Sequence, residues 1–367
     1  MKIVTIIGAR PQFIKAAAVS KAINQYEGDD GQGITEIIVH TGQHYDKNMS
    51  EVFFNELNIP EPNYHLNIAS LSHGAMTGRM LESIETVLNK ELPDLVLIYG
   101  DTNSTLAGAI AASKIHIPVA HVEAGLRSNN MRMPEEINRI LADRVSNLLL
   151  CPTESAVQNL QNEGVVNNVH LVGDVMYDAT LLYRDNAKNV IPLSKWGVTN
   201  GKYALCTIHR AENTDDTSRL ESILSALREI SADLDVVLPL HPRTRILLDN
   251  MGETSWLDGL TVLEPVSYTE MLRLEMSAKV IITDSGGVQK EAYFNEVPCI
   301  TMRDETEWLE TVELGWNQIV GADRDKILSA YHQLSSKVTQ RGKQPYGDGH
   351  ASEKIVEIIV NFLSSIE

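Results

Sequence analysis

The sequence predicts an α/β protein built from two doubly wound, Rossmann-like domains. Short apolar runs alternate with helical patterns along the 367 residues, the order that builds parallel sheets with helices on both faces. The runs are apolar almost throughout, as strands covered on both faces must be. The series restarts near Tyr203, after a poorly patterned stretch at 184–202. A chain of this length exceeds one ordinary core, so two domains are expected.

The first series of strands falls at 3–7 (IVTII), 36–40 (EIIVH), 95–99 (LVLIY), 119–122 (VAHV), 147–150 (NLLL) and 169–172 (VHLV). Helical patterns at 75–88 and 135–145 separate members of this series. The second series falls at 203–208, 236–240, 262–263, 280–283, 298–302 and 318–320, with helices at 218–230 and 324–334. A turn-rich GKQPYGDGH segment at 342–350 then precedes an amphipathic helix at 351–362.

Composition narrows the function classes. The chain is 43% hydrophobic and 22% charged, which is globular. No apolar run approaches the roughly 20 residues that span a bilayer, and MKIVTIIGAR lacks the layout of a signal peptide. A formal net charge of −18 argues against nucleic-acid and anionic-membrane partners. Cys151, Cys206 and Cys299 are far apart and beside apolar runs. They read as free thiols of a reduced cytoplasm, with no metal spacing.

In open α/β sheets ligands bind beyond the carboxyl ends of the strands, and those ends carry most of the chemistry here. The richest is IITDSGGVQKEA at 281–292. It is a strand, a turn with Ser285, Gly286 and Gly287, and a helix opening. Free backbone N–H groups and a helix N-terminus meet there, a phosphate site. As plain structure it reads as a strand–helix turn with Ser285 as N-cap. GARPQFIKA at 8–16 places Arg10 in a turn and Lys15 about one helical turn onward, so both cations can reach an anion there, or Lys15 can sit on a solvated face. GDTNST delivers Asp101, either an acid/base group or the cap of a helix starting near Ser104. HVEAGLRS delivers Glu123, then Arg127, where no helix begins. MRMPEEINR sets Glu135 and Glu136 in a helix's first turn, where they complement the dipole. IHRAEN ends a strand in His209 and Arg210, and LPLHPRTR presents His241. No GxSxG, GxGxxG or Walker pattern occurs. Carboxylates, a histidine and phosphate-binding turns suit proton transfer on a phosphate-bearing substrate.

GARPQFIKA, TGQH, YGDTNST, HVEAGLRS, PEEINR, HRAEN, LPLHPRTR and TDSGGVQKEA, in that order, resemble the non-hydrolysing UDP-N-acetylglucosamine 2-epimerases from about residue 1 to about residue 350. The resemblance implies the glycosyltransferase-B fold, with UDP-sugar clamped in an interdomain cleft. It implies an N-terminal domain at 1–175, joined by a C-terminal helix at 351–367, and a UDP-binding domain at 176–350. It further implies a homodimer without metal or other cofactor, serving surface polysaccharide precursors. The reaction removes the proton on the sugar's second carbon, loses UDP anti to leave a 2-acetamidoglucal, and adds UDP back. By motif position the catalytic set is Asp101, Glu123, Glu135 and His209. Arg10, Lys15, Arg210, Ser285, Gly286, Gly287 and Glu291 bind UDP-sugar, with Glu291 suited to the ribose hydroxyls. A second, activating UDP-sugar site seen in some members would involve Gln43, His44, Arg79, Arg210 and His241.

Several positions depart from the commonest pattern. Gly-Ala-Arg-Pro-Gln stands for Gly-Thr-Arg-Pro-Glu, and His44, Tyr45 and Asp46 follow Gln43. Arg79 replaces a glutamine, Val266 and Met271 replace Gln and Phe, and Trp308 replaces an Arg. These look more like the branch acting on UDP-2,3-diacetamido-2,3-dideoxyglucuronate. A hydrolysing relative, a glycosyltransferase of the same fold and a non-catalytic UDP-sugar sensor are the competing readings.

Overall fold

The computed structural model describes residues 1–28, 33–43, 56–57, 59–240, 242–250, 254–334 and 344–366. The chain divides into two compact units, Met1–Leu182 with Gln344–Glu367, and Tyr183–Lys343. Each is a parallel sheet flanked by helices, the doubly wound architecture expected from the alternating pattern.

The first unit's sheet uses β1 (Lys2–Ile7), β2 (Thr35–His40), β3 (Tyr64–His65), β4 (Leu95–Tyr99), β5 (Val119–Val122), β6 (Leu148–Cys151) and β7 (Val169–Leu171). Their order is β3-β2-β1-β4-β5-β6-β7, all parallel. Its helices are α1 (Arg10–Gln25), α2 (His73–Glu91), α3 (Asn103–Lys114), α4 (Pro134–Val145), α5 (Glu154–Asn162) and the start of α6 (Val175–Val190). The second unit's sheet uses β8 (Tyr203–Thr207), β9 (Asp235–Pro239), β10 (Thr261–Leu263), β11 (Val280–Thr283), β12 (Cys299–Thr301) and β13 (Asn317–Ile319), in the order β10-β9-β8-β11-β12-β13. Its helices are α7 (Ala211–Thr214), α8 (Thr217–Ile230), α9 (Pro242–Asn250), α10 (Tyr268–Glu275), α11 (Gly286–Phe294), α12 (Leu309–Glu313) and α13 (Arg324–Leu334). The last helix, α14 (Ala351–Ile366), belongs to the first unit.

In both sheets the strand order therefore reverses at one place, between β1 and β4 in the first and between β8 and β11 in the second. At such a switch point the flanking helices leave on opposite faces and open a crevice at the strand ends. The central strands hold this frame: β4 is fully buried along Leu95–Tyr99, as is β11 along Val280–Thr283. Alanines on α3 let it lie close on the sheet, where Ala107, Ala109, Ala111 and Ala112 are buried among Val4, Ile6, Val96 and Ile98.

The structure differs from the sequence pattern in small ways. Strand β3 has no counterpart in the pattern, because two residues on a sheet edge are too short to show a period. Helix α3 starts at Asn103, and Thr102, not Asp101, is its N-cap, accepting from the Thr105 amide. The poorly patterned stretch contains the end of α6 and a 3₁₀ turn at Leu193–Trp196. Among the described residues no helix is long and apolar enough to cross a membrane.

Helix α14 is secured by a distant side chain. Asp178, buried on α6, accepts hydrogen bonds from the amides of Ala351 (3.1 Å) and Ser352 (2.6 Å). These are the first-turn donors that a helix cannot satisfy itself, and Ile355, Val356, Ile359 and Leu363 bury the helix's apolar face. Replacing Asp178 by Ala leaves two buried amides without a partner. Urea unfolding of Asp178→Ala is expected to show a loss of about 1–3 kcal/mol, and a change below a few tenths would contradict this capping role.

Candidate active site

In the first unit the switch-point loops are crowded by design. A Cβ at Gly8, just after β1, would lie 2.0 Å from Thr41 Oγ1 and 2.3 Å from Ser104 Oγ. Gln12, the third residue of α1, fixes that loop. Its Oε1 accepts from the amides of Gly8 (2.8 Å) and Ala9 (3.0 Å), while its Nε2 donates to the Tyr99 carbonyl (2.8 Å) and Thr105 Oγ1 (3.0 Å). Only an amide can accept and donate in this way, a use for the Gln that departs from the commoner Glu.

Lys15 is not on a solvated face. It is buried in α1 and forms an ion pair with Glu123, itself buried at the end of β5. Glu123 adopts φ +72, in the left-handed region, a conformation that costs a non-glycine residue of the order of 1–2 kcal/mol and gathers at functional sites. Gly100 (φ +62) ends β4 against this pair, where a Cβ would stand 3.2 Å from Glu123 Oε2 and 3.3 Å from Lys15 Nζ. The next residue, Asp101, pairs through Oδ2 with buried Arg139 Nη2 at 2.6 Å, and its carbonyl accepts from Asn138 Nδ2 at 2.8 Å. Strands β4 and β5 are hydrogen-bonded neighbours, so two carboxylates with separate cations stand at adjoining strand ends.

Behind them runs a second set of charges. Asp143 of α4 accepts from His121 Nδ1 (2.7 Å), the Gly125 amide (3.1 Å) and Arg127 Nη1 (2.8 Å). Burial alone would raise the Asp143 carboxyl, but His121 and Arg127 outweigh it and hold it below the usual range. Arg127 also grips Glu163 through two bonds of 2.6 and 2.9 Å. Glu136 turns into the protein, accepting from the Ser128 and Asn129 amides and from Arg139. Burial works against its charge, yet these donors hold its carboxyl low. Its neighbour Glu135 remains half-buried on the first turn of α4. The adjacent acids thus divide: Glu136 organises the 128–129 loop and Glu135 is left available.

At the second unit's switch point Asp284, fully buried after β11, reaches across to the end of β8. It accepts from the amides of His209 (3.1 Å) and Arg210 (3.0 Å) and from Asn213 Nδ2 (3.2 Å), and lies 3.0 Å from His209 Nδ1. Burial pushes this carboxyl up, but His209 and the amides pull it down further, leaving it below the ordinary value. The His209 side chain is 40% exposed, and Nδ1 is the ring nitrogen committed to Asp284. The neighbouring turn is capped by Ser285, whose side chain accepts from the Val288 amide. Gly286 has the buried Arg303–Glu307 pair beneath it, and a Cβ there would stand 3.0 Å from Glu307 Oε1. At Gly287 a Cβ would meet nothing nearer than 4.0 Å, so internal packing among the described residues does not require glycine there. Glu291 is buried one turn on, and Lys290 lies 3.9 Å above the Trp308 ring.

The first unit therefore brings Lys15, Asp101 and Glu123 together, and the second brings His209 and Arg210 to the turn of Ser285, Gly286 and Gly287. Arg10 opens α1 and is half-buried. Gln43 Oε1 accepts from the Ser104 amide and hydroxyl, while Arg79 is exposed on α2. His44 and His241 lie outside the described residues. Sequence reasoning gave no role to Arg139, Asn138, Asp143 or Asp284. Arg139 was traceable as the residue one turn after Glu135 on the same helix face. Asp284 was traceable as the acid between a buried strand and a phosphate-type turn.

Comparison with known proteins shows the family of the chain. A family model described as UDP-N-acetylglucosamine 2-epimerase matches residues 27–360. A UDP-2,3-diacetamido-2,3-dideoxy-D-glucuronate 2-epimerase of Pseudomonas aeruginosa is 54% identical, over 98% of this chain and 99% of its own length. The UDP-N-acetylglucosamine 2-epimerase of Methanocaldococcus jannaschii is 45% identical over 98% and 99%. A crystal structure of the Methanocaldococcus jannaschii UDP-GlcNAc 2-epimerase, in complex with UDP-GlcNAc and UDP, superposes with a TM-score of 0.90 at 44% identity, over 98% of this chain and all (100%) of that one.

Asp284 makes a pH prediction. Its folded value is depressed, so its contribution is complete above the unfolded value of about 3.9 and is lost as pH falls through the folded one. Asp284→Asn should be less stable than wild type at neutral pH by about 1–3 kcal/mol, and the gap should close in acid. Urea midpoints followed from pH 7 downwards measure it; a gap independent of pH would refute the assignment.

Proposed function

The chain belongs to the UDP-N-acetylglucosamine 2-epimerase family, and we propose that it interconverts UDP-N-acetylglucosamine and UDP-N-acetylmannosamine without net hydrolysis. The observation that carries this reading is the pair of carboxylates at adjoining strand ends, Glu123 with Lys15 and Asp101 with Arg139, meeting around Gly100. Inverting a carbon centre by proton transfer needs a group on each face of the C–H bond, one to remove the proton and one to return it.

One carboxylate takes the C2 proton. The C1–O bond to the β-phosphate breaks as a C1=C2 double bond forms, and UDP departs with the bonding pair. In the return step the C1–O bond re-forms and the other carboxyl delivers a proton to the opposite face of C2. Asp101 and Glu123 exchange these roles with direction, and Glu135 stabilises the set. His209, oriented by Asp284 as a base is oriented in a catalytic triad, serves the departing UDP with Arg10 and Arg210. The Ser285–Gly286–Gly287 turn takes the phosphates and Glu291 the ribose hydroxyls. The products feed surface polysaccharide assembly in the cytoplasm, a location consistent with three free, buried cysteines.

A second reading, UDP-2,3-diacetamido-2,3-dideoxyglucuronate as substrate, is favoured by the Pseudomonas aeruginosa relative of that name and by the departures at Arg79, Val266, Met271 and Trp308. Incubating the protein in deuterated water with each UDP-sugar, followed by proton NMR, separates the two. Loss of the C2 proton signal with a manno-configured product is expected, and the faster substrate names the reading. Asp101→Asn and Glu123→Gln should each slow exchange by about 10²–10⁴-fold. No exchange with either sugar would overturn both readings.

A homodimer is part of the proposal. Helix α4 buries Asn138, Arg139 and Asp143 while exposing Ile137, Leu141 and Val145 at four-residue spacing, a stripe suited to a second copy. Sedimentation should give twice 40.7 kDa, and Leu141→Glu should shift it towards the monomer. A monomeric wild type would rule the dimer out.

A further inference from the structure

Residues His121 and Asp143 join the two loops that carry Asp101 and Glu123, and no step above uses them. His121 is the third residue of β5 and is fully buried. Its Nδ1 is 2.7 Å from Asp143 Oδ1 and its Nε2 is 2.7 Å from the Gly100 carbonyl oxygen. A neutral imidazole has one N–H and one bare nitrogen. The Gly100 carbonyl accepts only, so Nε2 carries hydrogen. The other partner, Asp143, has its second oxygen facing the Arg127 guanidinium and the Gly125 amide. That surrounding favours carboxylate, which also accepts only, so Nδ1 carries hydrogen as well.

We propose that His121 is a standing imidazolium, sealed beneath the site, that positions the Asp101 and Glu123 loops relative to each other. On one side it holds the carbonyl of Gly100, the left-handed residue that delivers Asp101 to Arg139 and abuts the Lys15–Glu123 pair. On the other it holds Asp143, which fixes Gly125 and Arg127, two and four residues beyond Glu123. The charges alternate from His121 to Asp143 to Arg127 to Glu163, so the buried cation is compensated, as it must be at full burial. The Cys151 thiol on β6 also faces Asp143, and burial and that carboxylate keep it protonated.

A neutral ring would leave either the Gly100 carbonyl or Asp143 facing a lone pair. The loop holding Asp101 would then be released from the loop holding Glu123, and misplacement by about 1 Å costs proton transfer roughly 10²-fold. This role rests on reading Asp101 and Glu123 as the proton-transfer pair; the protonation state does not.

The test has two arms. In protein labelled with ¹⁵N-histidine, both His121 ring nitrogens should resonate as directly protonated at pH 7. A spectrum with one bare ring nitrogen overturns the proposal, with or without turnover. In the second arm, His121→Gln should slow C2 proton exchange in deuterated water about 10- to 100-fold while UDP affinity stays within twofold, since the ring's partners, Asp143 and Gly100, are not among the residues proposed to hold UDP. Exchange at the wild-type rate overturns the positioning role, as does an equal loss of UDP affinity. If His121→Gln does not fold, Asp143→Asn serves instead: the bare-nitrogen signal should appear as exchange slows, and a ring still doubly protonated would count against the proposal. A wild type that exchanges neither sugar refutes the epimerase reading and the positioning role, leaving the nitrogen spectrum to decide the charge alone.

Discussion

The buried ion pair between Lys15 and Glu123 is the constraint around which the first unit is arranged. A carboxylate beyond a buried strand end, in a left-handed conformation, is doubly unfavourable: it loses hydration and strains its own backbone. It is kept there because a lysine from α1 meets it and because Gly100 has no Cβ to intrude. Each of these fixes something else. Lys15 is a helix residue, so its reach sets the height of α1 over the sheet; Gly100 must turn sharply, which throws Asp101 towards Arg139. The geometry of three loops follows from stabilising one charge.

Both units solve a common difficulty with the same residue type. Loops after parallel strands expose backbone N–H groups with no ladder partner. Asp284 collects those of His209 and Arg210, Asp143 that of Gly125, and Glu136 those of Ser128 and Asn129. These amides, together with His209, His121, Arg127 and Arg139, hold the three carboxyls low despite burial, so the frame and the electrostatics of each site are set together. Acidic residues that shape the loops thus stand beside those suited to act on a substrate, and local sequence does not separate the two kinds.

That distinction marks what the sequence revealed and what it withheld. The strands could be read because burial on both faces leaves nearly unbroken apolar runs, and Leu95–Tyr99, Val119–Val122 and Val280–Thr283 fall where those runs do. The strand-end motifs could be read because the architecture puts chemistry there. Partnerships could not. Glu135 and Glu136 look alike in a first helical turn, yet Glu136 is drawn inward by amides from a loop before the helix. Asp101 could be read as an acid/base group or a helix cap, and Thr102 takes the cap; Lys15 could be read as reaching a phosphate or sitting on a solvated face, and it pairs with Glu123. Lys15 and Glu123 are 108 positions apart and Asp101 and Arg139 are 38, beyond any local pattern.

The cap that Asp178 gives to Ala351 and Ser352 has a consequence for how the chain is made. The ribosome releases β1 to β7 and Asp178 long before residues 351–366 exist, and the whole of Tyr183–Lys343 must be synthesised in between. Until then α1 lacks the helix that packs on it and Asp178 is a buried-type acid with nothing to hold. The second unit can complete its sheet while still tethered to the ribosome; the first, begun earlier, is finished last.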